Sequence, residues 1–240
     1  MKSKGENRMM KKELLIIIPA YNEEENIVNT VSLIRDKYPQ YDYVVVNDGS
    51  KDRTAQICKE NGYQLLDLPV NLGLAGAFQT GMKYAYEKEY MYAIQFDADG
   101  QHRPEYIEAM LTRIKEGYDI VVGSRFVDTK KNNSLRMLGS RMITIGIKMT
   151  TGIRISDPTS GMRMFSKPMI KEFAMNMNYG PEPDTVSYLL KNGARVSEVQ
   201  VTMDERQFGE SYLNMMASIK YMVKMLVSIF VVQIFRKRNK

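Results

Sequence analysis

Two aspartates flank one small residue in Asp97-Ala98-Asp99, directly after the apolar run Tyr92–Phe96. Carboxylates at that spacing can share one cation, and Gln101 adds a third oxygen two residues on. An all-oxygen set suits a hard divalent ion, Mg²⁺ or Mn²⁺, above all one that already holds phosphate. Such an ion neutralises a diphosphate and stabilises it as a leaving group. A solvated acidic turn is the plainer reading of Asp-x-Asp taken alone. The place of the pair at a strand end, among other polar clusters, favours the ion. Asn47-Asp48-Gly49-Ser50 is a turn signal, and Asp48 can also accept hydrogen bonds from a nucleobase or ribose. Tyr21 can stack on a base and Glu23 can bond to it; Pro19–Glu23 reads equally well as a strand end with Asn22 capping the next helix. Gly73, Gly76 and Gly81 do not form G-x-G-x-x-G, which disfavours the usual dinucleotide fingerprint.

The second half is rich in arginine: Arg125, Arg136, Arg141, Arg163 and Arg206. Guanidinium forks bind phosphate oxygens in a bidentate way. Ser140 lies one helical turn after Arg136, on the same face. Glu182 and Asp184, set between prolines, can act as a general base or cap a helix, and the cap is slightly favoured. His102 is the only histidine, so a Ser-His-Asp triad would have to use it. No Cys/His cluster offers a zinc site, and the 19 methionines read as core filler and tail surface.

These residues need elements to hold them. Leu14–Ile18, Tyr43–Val46, Leu65–Leu68, Ala93–Phe96 and Ile120–Val122 read as buried strands. Glu24–Lys37, Thr54–Glu60, Leu74–Tyr86 and Glu105–Lys115 read as the intervening helices, with Gly62 a stop and Pro104 at a helix start. Alternating helices and unbroken apolar strands mean a mostly parallel sheet covered on both faces. Ligands of such sheets sit beyond the carboxyl ends of the strands, where the polar clusters fall. After Phe126 the pattern changes. Leu135–Thr150 is a Met-rich helix, Asp157–Arg163 a Pro/Gly loop, Pro168–Met175 and Asp184–Lys191 short helices, and Val196–Met203 a strand.

The length suits one large domain of 13–210 with a basic extension over 1–12 and a tail over 211–240. One cysteine, Cys58, excludes an intrachain disulfide. The polar, basic start shows no signal peptide, so catalysis facing the cytoplasm is the expectation. Residues 211–240 hold six cations and no acid, which equals the whole net charge of +6. A neutral body with a basic, apolar tail suggests an anionic membrane surface rather than nucleic acid. Tyr221–Phe235 is short of the ~20 residues of a spanning helix. Lys220, Lys224 and Ser228 form a polar stripe on it, as in a helix lying in the membrane interface. Burial of its apolar face in a homo-oligomer is the other reading.

In order along the chain stand Ile18-Pro19-Ala20-Tyr21-Asn22-Glu23, Asn47-Asp48-Gly49-Ser50, Asn71-Leu72-Gly73 with Gly81, and Asp97-Ala98-Asp99-Gly100-Gln101-His102. Gly123-Ser124-Arg125, Asp157-Pro158-Thr159-Ser160-Gly161-Met162-Arg163 and Arg206-Gln207-Phe208-Gly209-Glu210-Ser211 follow. The ordered set, covering about Leu14 to Ser211, resembles family-2 glycosyltransferases of the GT-A fold. Within them it is most similar to the dolichyl-phosphate mannosyltransferase and bacterial polyprenyl-phosphate glycosyltransferase group. The resemblance implies a Rossmann-like α/β nucleotide-sugar fold with a C-terminal amphipathic helix. It implies that Pro19, Tyr21, Glu23, Val46, Asp48 and Ala98 hold the nucleoside, and that Asp97, Asp99 and Gln101 hold the metal. Arg125, Arg136 and Ser140, with Arg163, would hold an acceptor phosphate, and Arg206 would contact phosphate from a loop that closes over the site. Asn47 stands where Asp is common in the family, and Tyr212 where Lys is common.

The implied reaction is a single, inverting displacement at the anomeric carbon. The donor is a nucleotide sugar, UDP-linked by preference with GDP left open, and the acceptor is polyprenyl phosphate. A phosphate monoester has a second pKa near ~6 and is largely dianionic at neutral pH, so it needs no enzyme base. Three other readings stay open: a sugar-hydroxyl acceptor served by Glu182 or Asp184, a nucleotidyltransferase, and a non-catalytic nucleotide-sugar scaffold. The expected location is peripheral, on the cytoplasmic face of the membrane.

Overall fold

The computed structural model describes residues 12–131, 134–176, 179–204 and 215–232. Seven strands form one sheet: β1 (Leu14–Ala20), β2 (Asp42–Asn47), β3 (Leu65–Asp67), β4 (Tyr92–Gln95), β5 (Ile120–Ser124), β6 (Arg163–Ser166) and β7 (Val196–Gln200). Their order is β3-β2-β1-β4-β6-β5-β7. All pairings are parallel except those of β6, which runs antiparallel to β4 and β5. The helices are α1 (Ile27–Lys37), α2 (Thr54–Glu60), α3 (Gly73–Glu87), α4 (Ile107–Lys115), α5 (Leu135–Thr151), α6 (Lys167–Met175), α7 (Pro183–Lys191) and α8 (Met215–Val227).

The unbroken apolar strands are explained by cover on both faces. Leu14, Ile16 and Ile18 of β1 point into a core with α1, α2 and α4, while Leu15 and Ile17 point into a second core with α3, α6 and α7. Helix α4 buries Ile107, Met110, Leu111 and Ile114, a stripe recurring every three or four residues. A third cluster joins Ile143 and Ile147 of α5, Val186 and Leu190 of α7, and Met225 of α8. Strand order reverses between β1 and β4, which opens a crevice at their carboxyl ends.

Three sequence expectations change. Strand β6 takes the last residue of the expected loop and the gap before the expected helix. Its four residues are fully covered by their neighbours, so its strand character comes from pairing with β4 and β5 rather than from a long apolar run. Asn22 does not cap α1. It sits at φ 53, its Oδ1 accepts the Lys51 amide at 2.9 Å, and the helix starts at Ile27. The stripe of Lys220, Lys224 and Ser228 is broken. A π turn begins at Ser228, whose hydroxyl donates to Asp184 on α7. The tail helix is therefore docked on the body: Met225 and Ile229 are buried in the third cluster. The 1–12 extension, apart from Lys12, lies outside the described residues, as do Arg206, Tyr212 and the basic end 236–240.

Candidate active site

The crevice between β1 and β4 widens into a cleft of about 550 Å³. Its walls are the ends of three strands: Pro19 at the end of β1 with Tyr21 and Glu23 after it, Asp48 after β2, and Asp97, Ala98 and Asp99 after β4. Asn71, Leu74 and Ala77, at the start of α3, close the far side. The first two loops are laced together. Glu23 is buried; its amide donates to Thr54 Oγ1 at 2.9 Å and its Oε2 accepts Asn26 Nδ2 at 2.7 Å. Asp48 Oδ1 accepts the Leu72 amide at 2.7 Å, which pins the start of α3 to β2. Gly49 makes this turn possible: its φ is +63, and a Cβ there would lie 2.6 Å from backbone atoms of Val70 and Asn71.

The carboxylate pair is built from β4 outward. Gln95 Nε2 donates to Asp97 Oδ1 at 2.8 Å. The Asp97 amide donates to His102 Nδ1 at 2.9 Å, so the hydrogen-bond network assigns the His102 proton to Nε2. That nitrogen faces Asp97 Oδ2 at 3.6 Å. His102 is buried edge-on against Phe96. The single histidine thus folds the turn back on itself and orients Asp97, a role the sequence reading did not assign. Asp99 Oδ1 accepts the Gln101 amide at 3.1 Å, a turn-type bond that aims the second carboxylate. Gly161 lets the opposite loop approach; a Cβ there would meet Asp97 Oδ2 at 2.5 Å.

Among the described residues, no group of three His, Cys, Asp or Glu side chains gathers to hold a metal. The turn after β4 brings two carboxylates, Asp97 and Asp99, to the cleft, which fits a hard ion completing its shell with ligand phosphate and water rather than a closed protein cage. Gln101 turns its amide nitrogen toward the Asp204 carbonyl at 3.4 Å, tying this turn to the chain after β7.

Other expected residues fall elsewhere. Val46 is 0% exposed and packs with Ile17 and Phe78 in the core beneath the cleft. Asn47 turns its amide to Asp67 at 2.7 Å. Arg125 is forked onto Asp157, Nε to Oδ2 at 2.6 Å and Nη2 to Oδ1 at 2.9 Å. Burial alone would raise the Asp157 pKa, but the Arg125 fork outweighs it and holds the carboxyl below its usual value. Arg163 is 2% exposed; Nη2 donates to the Pro158 carbonyl, while Nε and Nη1 have no partner among the described residues. Ser140 is buried on α5, where its hydroxyl accepts from Lys131 Nζ at 2.8 Å. The Arg136 side chain lies outside the described residues.

Both base candidates are engaged. Glu182 stands at the N-cap of α7 without capping it, and its carboxylate accepts the Tyr221 hydroxyl of α8. Asp184 accepts from the Thr185 amide and from Ser228. Burial, followed by the neighbouring Glu182 carboxylate, drives the Tyr221 pKa far up, so the phenol stays a proton donor.

Comparison with known proteins fits this arrangement. The chain is 32% identical to a UDP-N-acetylglucosamine–dolichyl-phosphate N-acetylglucosaminyltransferase of Methanococcus voltae, over 80% of this chain and 86% of that one. It is 29% identical to an undecaprenyl-phosphate mannosyltransferase of Micrococcus luteus, over 84% and 87% respectively. In fold it is similar to glucosyl-3-phosphoglycerate synthase from Mycobacterium tuberculosis, solved with phosphoglyceric acid. That match has a TM-score of 0.70 at 17% identity, covering 91% of this chain and 80% of that one. The same enzyme is also solved with Mn²⁺, uridine diphosphate and glucosyl-3-phosphoglycerate, with a TM-score of 0.66 at 16% identity over 92% and 80%. The expected GT-A type of α/β fold is therefore present. The family described as Glycosyl transferase family 2 matches residues 15–173, and the chain belongs to it: it is a family-2 glycosyltransferase.

Proposed function

We propose that this enzyme moves a sugar from a nucleotide-sugar donor to the phosphate of a polyprenyl phosphate, with inversion at the anomeric carbon. The observation that carries the choice of acceptor is the engagement of Glu182, Asp184 and Asp157 with Tyr221, Ser228 and Arg125. A sugar hydroxyl would need one of them as base. A phosphate monoester, with its second pKa near ~6, already carries the attacking charge. Relatives named for dolichyl-phosphate and undecaprenyl-phosphate transfer, matched over four fifths of the chain or more, support the same acceptor.

In this reading Tyr21, Glu23 and Asp48 take the nucleoside, with UDP favoured over GDP. Asp97 and Asp99 hold Mg²⁺ or Mn²⁺ at the diphosphate. The ion, when bound, supplies charge neutralisation for the departing nucleoside diphosphate. His102 and Gln95 fix Asp97 beforehand, so its carboxylate is already oriented when the donor enters. The test is direct. Full-length protein is incubated with UDP- and GDP-sugars, with a short polyprenyl phosphate and with the matching alcohol, and products are read by mass. A glycosyl phosphoprenol from the phosphate alone is expected. Equal transfer to the alcohol, or release of pyrophosphate, overturns the reading.

We place the enzyme peripherally on the membrane. No described helix is long and apolar enough to cross a bilayer. Helices α5 and α8 instead expose Leu138, Met142, Ile145 and Met149 beside Ile219, Val223 and Val227. A surface of that kind, with a basic tail, fits an anionic leaflet, which is the cytoplasmic one. Because Met225 and Ile229 are core residues, deleting the tail would uncover the body, and surface substitutions test the idea better. Val223→Glu with Val227→Glu is expected to abolish sedimentation with anionic vesicles while donor binding persists. Unchanged sedimentation of that variant would refute the assignment.

A further inference from the structure

A second cleft, of about 820 Å³, runs along α5 between Phe126–Lys131 and Lys148–Ser156. Five cations line it, Lys130, Lys131, Arg141, Lys148 and Arg154, against one acid, Asp128. Ile145 and Val127 add exposed apolar surface at its edge. Lys131 is the innermost cation. It is half-buried, and its Nζ donates to Ser140 Oγ at 2.8 Å and Thr144 Oγ1 at 3.3 Å. Two cations lie over the Phe126 ring, Lys131 Nζ and the Arg125 guanidinium, each 5.3 Å from its centroid. The Arg141 guanidinium bonds the Lys131 carbonyl at 2.6 Å and so brings the two basic residues together.

Among the described residues Lys131 has no carboxylate within ion-pair distance. The nearest acids are already used. Asp157 holds Arg125, and Glu198 accepts the amides of Ser156 at 2.7 Å and Asp157 at 2.9 Å. Burial pushes the Lys131 ammonium down to about 8; Asp157 and Glu198 oppose that, and Arg125 and Arg141 add to it. A half-buried cation held by neutral hydroxyls and an aromatic face is costly by itself and gains most from an incoming anion.

The cleft is also tied to the carboxylate pair. The loop from Asp157 to Gly161 holds Arg125 at one end and borders Asp97 at the other. Those five residues can span at most about 15 Å. A group in the basic cleft next to Phe126 is thus one short loop from the donor carboxylates.

We propose that this cleft binds a phosphate monoester carried on an alkyl chain, with Lys131 as its innermost ligand and the apolar rim taking the first part of the chain. The proposal rests on the acceptor reading above and gives that acceptor its cation: the Arg125 fork is held by a carboxylate, whereas Lys131 is held only by two hydroxyls. The same chemistry is offered by a membrane headgroup, so the experiment separates the two.

Full-length wild type, Lys131→Met, Lys131→Arg and the rim variant Lys148→Gln are compared with farnesyl phosphate, farnesol, inorganic phosphate and anionic vesicles. Folding is checked by thermal melting. Lys131→Met is expected to raise the KM and the directly measured Kd for farnesyl phosphate roughly 10- to 100-fold, the range for a lost charged hydrogen bond. The donor KM should be unchanged, Lys131→Arg should restore most of the affinity, and Lys148→Gln should have a smaller effect. Wild-type affinity should fall as pH rises through about 8, where free Lys131 loses its proton, and Lys131→Arg should abolish that fall. An unchanged farnesyl phosphate Kd in folded Lys131→Met overturns the proposal. So does a loss confined to vesicle binding, which would make the cleft a headgroup site. A wild type that binds farnesyl phosphate through Lys131 yet never glycosylates it would defeat the acceptor reading and leave the cleft standing.

Discussion

Asp97→Asn and Asp99→Asn are each expected to lower kcat at least about a thousandfold while the fold survives. The size follows from what the carboxylates face. In the proposed reaction a metal-held diphosphate leaving group would gather negative charge in the transition state, and losing preorganised stabilisation there costs hundreds- to thousandfold in rate. At Asp97 the effect is compounded. Its Oδ1 is an acceptor for Gln95 Nε2 and its Oδ2 faces His102 Nε2. An amide would present an NH₂ either to another donor or to the cation. The fold should survive, because the Asp97 side chain is 33% exposed in the cleft and the contacts it loses to Gln95 and His102 cost about 1–3 kcal/mol, a fraction of the whole stability. Gly161→Ala should reproduce part of the loss without touching a carboxylate, since its methyl would displace Asp97 Oδ2. The measurements are kcat with added Mn²⁺ after chelation, Mn²⁺ affinity by paramagnetic resonance, and thermal melting. Near-normal turnover of both asparagine variants would sink the metal assignment.

The cleft was legible in sequence because its parts are local. Each polar cluster directly follows an apolar strand, and parallel strands bring their carboxyl ends to one edge. Thus Tyr21, Asp48 and Asp97, far apart in the chain, meet on one cleft. The central strands were legible for the same reason that they are buried on both faces: Leu14–Ile18 and Val44–Val46 allow no other placement. What could not be read was set by distant partners. Strand β6 exists as a strand only because β4 and β5 flank it. Val46 alternates inward while its neighbour Asn47 turns toward Asp67, a distinction made by strand pleat and by a partner 20 residues away. Lys131 carries no motif in the sequence, and its setting exists only because α5 brings Ser140 to it. The tail was read correctly as helical, but its two hydroxyl contacts reach residues about 40 positions upstream. Amphipathic pattern cannot distinguish an interfacial helix from one half-docked on its own domain.

The largest stability effect is expected at Asp157, which no local motif ranks above its neighbours. Its side chain is 0% exposed and serves several donors at once. Both Arg125 guanidinium contacts, the Arg125 amide at 3.2 Å and the Thr159 hydroxyl at 3.2 Å end on it. Asp157→Asn keeps the shape but removes the charge and turns one acceptor into a donor facing the guanidinium. Breaking a buried pair on one side costs about 3–5 kcal/mol. Arg125 is 24% exposed and can recover some water, so the lower end, about 3 kcal/mol, is expected from denaturant unfolding. The acid dependence should change with it. The folded pKa of Asp157 lies below its unfolded value, near ~3.9. Its pairing therefore contributes fully above that unfolded value and is lost as pH falls through the lower folded one. Wild type should lose this increment on acidification below about pH 4, and the Asp157→Asn curve should be flatter over the same window. The loop would also release Gly161 from beside Asp97, so turnover should fall even at temperatures where the variant is folded. A variant as stable as wild type at pH 7, with the same acid slope, would show that the Arg125–Asp157 fork contributes nothing to the fold.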